Sequence, residues 1–137
     1  MFTALDKKIF NEMEIRLNFI TPAIKKAGWI FNKNFREEYP ITNGRITSNI
    51  VKRNKPLRTD YVLFYRPNVP LAVVEAKDNN HNISDGMQQA LNYAKMLEVP
   101  FAFSSNGDGF IFHNKLATEG NVEIFLPLNN FPTPEKL

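Results

Sequence analysis

The segment LAVVEAKDNNHNISDGMQQALNYAKML, Leu71 to Leu97, carries the strongest structural signal in the chain. It opens with the apolar run LAVV, which predicts a buried strand. Glu75 and Lys77 then interrupt the run, and because they lie two residues apart they share one face of the strand. A carboxylate and an ammonium at the end of a core strand indicate either a surface ion pair or a site that performs chemistry.

The second half of the segment predicts a helix over residues 84–97, which Ser84 or Asp85 can cap. Its apolar face consists of Met87, Ala90, Leu91, Ala94 and Leu97. Strands are predicted on both sides of this unit, TDYVLFYR and PLAVVEA before the helix and PFAFSS and FIFHN after it. The turns Pro67-Asn68 and NGDG separate the members of each pair.

The N-terminal part predicts a helix over residues 5–27, with Pro22 marking a kink or the start of a second helix. Its apolar positions are Ile9, Met13, Phe19, Ile20, Ala23, Ile24 and Ala27. FREEYPI and GRITSNIV predict two paired strands joined by a turn at Asn43-Gly44. The order helix, strands, helix, strand, strand indicates an α/β fold with a mixed sheet.

Composition limits the possible classes of protein. A chain of 137 residues with 43% hydrophobic residues fits one globular domain. No apolar run is long enough to predict a membrane span, and the absence of cysteine excludes disulfides and thiolate metal sites. The net charge of +3 does not by itself indicate nucleic acid, but VKRNKPLR, Val51 to Arg58, groups four basic residues without an acidic one. A solvated loop would also explain that group.

Two carboxylates are expected to meet at neighbouring strands, because Asp60 lies in the strand before the one that ends in Glu75. Paired carboxylates in one cleft ionise together only when a cation neutralises them, and Mg²⁺ prefers such oxygen ligands. Lys77 would then lie beside the metal, where it could orient or deprotonate a water or stabilise charge on a phosphorane. A surface ion pair at a strand end remains the alternative.

Gln89 and Tyr93 lie four residues apart in the predicted helix and therefore share one of its faces. They are either part of the same site or, more simply, a half-buried aromatic ring and a solvent-facing amide.

Taken together, Asp60, the tripeptide Glu75-Ala76-Lys77 and the helix QALNY resemble the PD-(D/E)xK nuclease core with its Q-x-x-x-Y helix. More narrowly, the chain resembles the N-terminal nuclease domain of the R (motor) subunit of type I restriction-modification enzymes. The stretches that carry this resemblance are FITPAIKKAGW (19–29), ITNGRI (41–46), DYVLFYRPNVPLAVVEAK (60–77), GMQQALNYAKMLEVPFAFSSNGDGFIFH (86–113) and FPTPEKL (131–137). It implies a restriction-endonuclease-like core, with a mixed central sheet flanked by helices.

The resemblance also implies roles for individual residues. Asp60 and Glu75 match the metal-binding carboxylates, the carbonyl of Ala76 supplies a further metal ligand, and Lys77 matches the catalytic lysine. A first-helix glutamate often joins such sites, and Glu12 is the first choice with Glu14 next. Gln89 and Tyr93 match residues that hold DNA or support the site. The basic residues expected to contact DNA phosphates are Arg53, Lys55 and Arg58. Thr59 stands where the motif's name has proline.

The implied function is Mg²⁺-dependent cleavage of double-stranded DNA without sequence specificity of its own. Residues 1–128 would form the nuclease domain, and residues 129–137 would begin a linker to a translocase that uses ATP. This chain has no G-x-x-x-x-G-K-[ST] loop, so ATP is not expected to bind it. The implied partners are the methylase and specificity subunits, in the cytoplasm of a prokaryote and without a membrane. The alternatives are a DNA-binding or assembly module that is inactive in isolation, and a solitary nuclease of the same fold.

Overall fold

A six-stranded mixed sheet forms the centre of the molecule in the computed structural model, which describes residues 2–41, 57–117 and 122–137. The strands are β1 (Phe35–Ile41), β2 (Leu57–Arg66), β3 (Val69–Ala76), β4 (Phe101–Ser105), β5 (Gly109–Asn114) and β6 (Glu123–Pro127). They follow one another across the sheet in chain order. Only the β3–β4 pair is parallel, and the other neighbouring pairs are antiparallel. The predicted α/β fold with a mixed sheet is therefore confirmed.

The helices lie at the N-terminus and between the two parallel strands, and a short 3₁₀ turn follows the last strand. They are α1 (Ala4–Ile9), α2 (Glu12–Ile15), a π-helical segment (Arg16–Ile20), α3 (Thr21–Lys26), α4 (Met87–Leu97) and a 3₁₀ turn (Leu128–Asn130). Helix α4 makes the crossover that a parallel β3–β4 pair requires. In the described part of the chain no helix is long and apolar enough to cross a membrane.

The helical stretch predicted over residues 5–27 has a break at Phe10 and Asn11 that the sequence did not predict. Phe10 has an extended backbone, with φ −69° and ψ 141°, and ends α1. Asn11 then caps α2 through a reciprocal pair of hydrogen bonds with Glu14. The predicted apolar face fails there as well, since Ile9 is 80% exposed and Met13 is 44% exposed. A separate helix does contain Pro22 in its first turn, as one of the two alternatives predicted.

Helix α4 begins at Met87 and not at Ser84, and neither Ser84 nor Asp85 caps it. The N-cap is Gly86, which packs tightly under the end of β3. A Cβ atom at Gly86 would lie 3.0 Å from Ser104 Oγ and 3.5 Å from the Cβ of Glu75. The helix thus begins three residues later than predicted, at the first residue of its predicted apolar face, and the turn before it lies close to the strand ends.

Two apolar clusters cover the two faces of the sheet. One lies under the N-terminal helices and contains Ile15, Ile20, Ile24, Trp29, Tyr61, Phe103 and Phe110 among its buried members. The other lies under α4 and contains Val62, Phe64, Val73, Met87, Ala90 and Tyr93 among others. Successive residues of β2 point to opposite clusters, as alternation along a strand requires.

The C-terminal segment packs against the first cluster. The ring of Phe131 lies 4.8 Å from that of Phe103 and 4.7 Å from that of Phe110, measured between centroids. Trp29 Nε1 donates a hydrogen bond to the carbonyl of Pro132 at 2.8 Å. The division into a domain at 1–128 and a linker at 129–137 stays a prediction, and these contacts show that the segment adds to the core.

The expected strand GRITSNIV and its turn at Asn43-Gly44 lie outside the described residues. Within them, FREEYPI forms β1 and pairs with β2.

Candidate metal-dependent active site

Asp60 and Glu75 lie side by side at one end of the sheet. Strands β2 and β3 are antiparallel with Tyr61 opposite Val74, which brings the start of β2 to the end of β3. The backbone N–H of Asp60 donates to Glu75 Oε2 at 2.9 Å, and the N–H of Ala76 donates to Asp60 Oδ2 at 2.8 Å. Each strand therefore orients the carboxylate of the other.

Glu75 is a buried carboxyl group, with 3% of its surface exposed. Burial, followed by the negative charge of Asp60, raises the pKa of Glu75 to about 9. The hydroxyl of Thr59, the residue that stands in the place of the motif's proline, lies 3.5 Å from Glu75 Oε2. Since two adjacent carboxylates repel one another at low dielectric, a cation bound between them would replace the proton.

Lys77 follows directly after β3, and its backbone N–H donates to the carbonyl of Ser105 at 2.9 Å. Its ammonium lies within electrostatic range of Glu12 and acts to lower the pKa of that carboxyl group. The net shift is nevertheless upward, because partial desolvation and the negative charge of Asp60 raise the pKa of Glu12. Asp60 and Lys77 therefore both lie within electrostatic range of Glu12, although each role assigned from the resemblance stays a prediction.

Glu14, the second candidate from the first helix, has a different use. Its carboxylate accepts a hydrogen bond from the backbone N–H of Asn11 at 3.0 Å, which caps α2. Of the two candidate glutamates, Glu12 is therefore the one whose carboxyl group is within electrostatic range of Asp60.

The donor set at the strand ends suits a hard divalent cation, because it consists of carboxylate oxygens with carbonyl oxygens nearby. Across residues 2–41, 57–117 and 122–137, no three His, Cys, Asp or Glu side chains are grouped in metal-binding geometry. A cation at Asp60 and Glu75 would therefore need further oxygens, such as the Ala76 carbonyl and water. Mg²⁺ commonly keeps several waters when proteins bind it.

The Gln89 and Tyr93 pair lies on α4 and is internally hydrogen-bonded. Gln89 Nε2 donates to Tyr93 Oη at 2.7 Å, while the Tyr93 ring is buried in the cluster under the helix. The Gln89 side chain is exposed. This arrangement fits the simpler alternative of a packed ring and a solvent-facing amide, and it leaves a role in holding DNA as a prediction.

Of the three basic residues predicted to contact phosphates, only Arg58 lies in the described part of the chain. Arg53 and Lys55 lie outside the described residues. Arg58 is exposed on β2, two residues before Asp60 and opposite Pro40 of β1. A role of Arg58 in contacting phosphates stays a prediction.

The loop after Lys77 is held by buried polar side chains. Asn79 Nδ2 donates to the carbonyl of Asn106, and Asn106 Nδ2 donates to the carbonyl of His81, both at 2.8 Å. Lys8 of α1 donates to the carbonyl of Asn79. Ser104 Oγ donates to the carbonyl of Ile83 at 2.8 Å. These contacts tie α1, the loop and the end of β4 together beside the strand ends that carry Asp60 and Glu75.

The sequence reasoning missed one residue of this site, Arg16. It is a buried arginine, 4% exposed, at the start of the π-helical segment. Its Nη2 donates to Glu37 Oε1 at 3.0 Å, and its Nη1 lies 3.7 Å from Asp60 Oδ1. A signal was available, because Arg16 precedes Ile20 by one helical turn and so occupies an apolar position of the predicted helix.

Glu37 reaches Arg16 because β1 changes face at the next residue. Glu38 has a left-handed backbone with φ 48°. Glu37 contacts Arg16 on the side of the N-terminal helices, whereas the Tyr39 ring packs against Phe64 under α4, at 5.6 Å between centroids. A regular strand would place these two residues on the same face, so the backbone at Glu38 separates them.

Comparisons with known proteins agree with this fold. A sequence model of the family described as type I restriction enzyme R protein N terminus matches residues 37–121. The endonuclease subunit of the type I restriction enzyme EcoAI from Escherichia coli is 41% identical over 129 residues, covering 92% of this chain and 16% of that protein. A solved fragment described as an HsdR subunit of a type I restriction enzyme from Vibrio vulnificus superposes with a TM-score of 0.77. It is 37% identical and the match covers 93% of this chain and 24% of that chain.

The chain thus spans only a small part of the length of the proteins that it matches. Within that span the family match includes Asp60, Glu75 and Lys77. The family match and both relatives show that the chain belongs to the N-terminal domains of type I restriction enzyme R subunits.

Proposed function

We propose that this chain is a Mg²⁺-dependent endonuclease domain, which hydrolyses the backbone of double-stranded DNA without sequence specificity of its own. The observation that carries the proposal is the adjacent pair formed by the partly buried Asp60 and the buried Glu75, in which each carboxylate accepts a backbone N–H from the other strand. A pair of carboxyl groups held this close is costly for folding alone and suits a cation. The Escherichia coli relative is named as an endonuclease subunit, which supports the same class of activity.

Each residue of the site would have its own role in phosphodiester hydrolysis. Asp60, Glu75 and the carbonyl of Ala76 would hold the metal. When bound, Mg²⁺ would lower the pKa of a water molecule and offset charge on the phosphate. Lys77 would stabilise the charge that develops on the phosphate oxygens. Glu12, whose pKa is raised, would accept a proton from the attacking water. The products would carry a 5′-phosphate and a 3′-hydroxyl.

The rest of the activity would belong to other parts of the enzyme. DNA translocation with ATP would be carried out by the R subunit beyond this domain. Sequence recognition and methylation would be carried out by the specificity and methylase subunits, within the cytoplasm of a prokaryote. The exposed Arg58, with Arg53 and Lys55, would contact phosphates and not bases, so these contacts would be salt-sensitive and independent of sequence.

The test is plasmid cleavage by the assembled enzyme with Asp60→Asn in the R subunit. We expect cleavage to fall by about 100-fold or more, since the variant loses a charged ligand and transition-state stabilisation with it. ATP hydrolysis should be unchanged. The matched control is Asp85→Asn, which makes the same change in an exposed loop where the amide can still accept from the N–H of Asn82. Equal cleavage by wild type and Asp60→Asn would refute the proposal.

A second candidate function is a DNA-binding or assembly module with an idle centre. The observation in its favour is that no three His, Cys, Asp or Glu side chains are grouped for a metal in the residues that the structure describes. This candidate expects the chain to bind duplex DNA in EDTA with an affinity that Asp60→Ala does not change. The nuclease proposal expects Mg²⁺ or Ca²⁺ to strengthen binding in the wild type alone.

A further inference from the structure

Arg16 is a buried cation, and the proposed mechanism of DNA hydrolysis gives it no role. Its side chain is 4% exposed and lies over the ring of Tyr61, with 5.0 Å between the guanidinium carbon and the ring centroid. Its Nε has no hydrogen-bond partner among the described residues. Burying an arginine costs free energy unless its partners are well placed, so its position next to Asp60 calls for an explanation.

The contacts of Asp60 differ at its two oxygens. Oδ2 accepts the N–H of Ala76 at 2.8 Å. Oδ1 faces Nη1 of Arg16 at 3.7 Å, which is too long for a hydrogen bond but short enough for strong electrostatic attraction. The arginine therefore faces Oδ1 without occupying its lone pairs.

Glu37 explains why the guanidinium stops at this distance. Its Oε1 accepts Nη2 of Arg16 at 3.0 Å and the hydroxyl of Thr21 at 3.3 Å. Thr21 in turn shares a hydrogen bond of 2.6 Å with Tyr61 Oη. The guanidinium is thus fixed from the side of β1 and the third helix, and its distance from Asp60 is set by these partners.

We propose that Arg16 is a positioning residue for Asp60: anchored by Glu37, it holds the Asp60 carboxylate in its metal-binding orientation while leaving Oδ1 available to the cation. The proposal rests on the proposed function for the identity of the ligand. It also makes a claim about the metal-free protein, which is that Arg16 and Asp60 interact.

The sign of the effect on metal binding separates this proposal from simple electrostatics. If Arg16 acted only as a positive charge near the site, its removal would strengthen the binding of a divalent cation. If it orients a ligand, its removal weakens binding, as the loss of outer-shell partners usually does by about 10- to 100-fold.

The first experiment is calorimetric titration of Mn²⁺ into the full chain and its variants. We expect Arg16→Met to bind at least about tenfold more weakly than wild type. Arg16→Lys keeps the charge but loses the planar fork, and we expect an intermediate loss. Arg66→Met removes an exposed arginine at the other end of β2 and should bind as wild type does. Asp60→Asn sets the baseline for a lost site.

Glu37→Gln changes the charge of the site in the opposite direction to Arg16→Met, and Arg16→Lys, which keeps the charge, carries the test if Arg16→Met does not fold. The amide keeps a hydrogen-bond acceptor for Arg16 but removes the competing charge, so the guanidinium is expected to close on Asp60. We therefore expect Mn²⁺ affinity to fall in Glu37→Gln, although the net charge of the site becomes more positive by one in this variant and less positive in Arg16→Met. A loss in both variants cannot come from charge alone.

The second experiment needs no metal. Melting temperatures in EDTA are compared for wild type, Arg16→Lys, Asp60→Asn and the double variant. We expect the shifts of the two single changes not to add up to the shift of the double change, because each single variant leaves one member of the pair without its partner. Additive shifts, together with Mn²⁺ affinity that is unchanged or stronger in Arg16→Lys, would overturn the proposal. If wild type binds no Mn²⁺ but the shifts are non-additive, the nuclease proposal fails and the positioning of Asp60 by Arg16 stands.

Discussion

Replacing Glu75 with Gln should stabilise the metal-free domain, and the gain should grow as the pH rises. The carboxyl group is 3% exposed, and burial, followed by the charge of Asp60, raises its pKa from 4.5 to about 9. Between these values the folded protein keeps a proton that the unfolded chain releases. Because the folded state then binds more protons than the unfolded state, the free energy of unfolding falls as the pH rises.

The size of the effect follows from the two pKa values. Each pH unit above the unfolded pKa of 4.5 costs the folded wild type about 1.4 kcal/mol until the folded pKa is reached. The cost is therefore under about 1 kcal/mol at pH 5 and about 3 kcal/mol at pH 7. A glutamine has no charge to lose and its carbonyl can still accept the N–H of Asp60. We expect the advantage of Glu75→Gln over wild type to grow by about 2 to 3 kcal/mol between these two pH values.

The assay is urea unfolding of both proteins in EDTA at pH 5, 7 and 8. Glu135→Gln, a change at an exposed carboxylate, is the control and should track wild type at each pH. Adding Mg²⁺ at pH 7 should raise the stability of wild type more than that of Glu75→Gln, because the cation replaces the proton. A difference between Glu75→Gln and wild type that stays constant from pH 5 to pH 8 would refute the reasoning.

Two further changes test the packing of Phe131 in the core and the role of Glu12. Phe131→Ala should lower the free energy of unfolding by about 3 to 5 kcal/mol, because its ring is buried between two others. Phe125→Ala, at an exposed position, should lower it by under about 1 kcal/mol. Equal losses of the two variants in urea unfolding would contradict this. If Glu12 accepts the proton of the attacking water, Glu12→Gln in the assembled enzyme should slow plasmid cleavage by about 100-fold or more. Glu14→Gln keeps its helix cap and should cleave as wild type does. Similar cleavage rates for these two variants would remove Glu12 from the mechanism.

The sheet could be predicted from the sequence because its signals are local. The run Tyr61 to Phe64 is apolar and β-prone, and so is the run Leu71 to Val74; both form strands within two residues of the predicted bounds. Their antiparallel pairing follows from the short turn at Pro67-Asn68. That pairing alone brings Asp60 to Glu75, which is why the centre of the site was visible before the fold was known.

The N-terminal helices could not be predicted in the same way. Their apolar spacing continues through Phe10 and Asn11, where the chain breaks, because the capping bonds of Asn11 and Glu14 compete with the helix. The π-helical segment then adds a residue to one turn and rotates everything after it. Ile20 and Ile24 are buried as the predicted face requires, whereas Ile9 and Met13 of that face are exposed and Ile15, which lies outside it, is fully buried.

The two charged groups at the centre of the site, Glu75 and Arg16, gave the same kind of signal, and only one was recognised. Each is a charged residue at a position where the pattern calls for an apolar one. In a strand such a residue stands out, because its neighbours two residues away mark the buried face without ambiguity. In a helix, shifting the assumed apolar face by one position is enough to assign the same residue to the solvent-facing side. A charged residue that occupies an apolar position in a helix therefore merits the same attention as one in a strand, and here it leads to Asp60 from the opposite side.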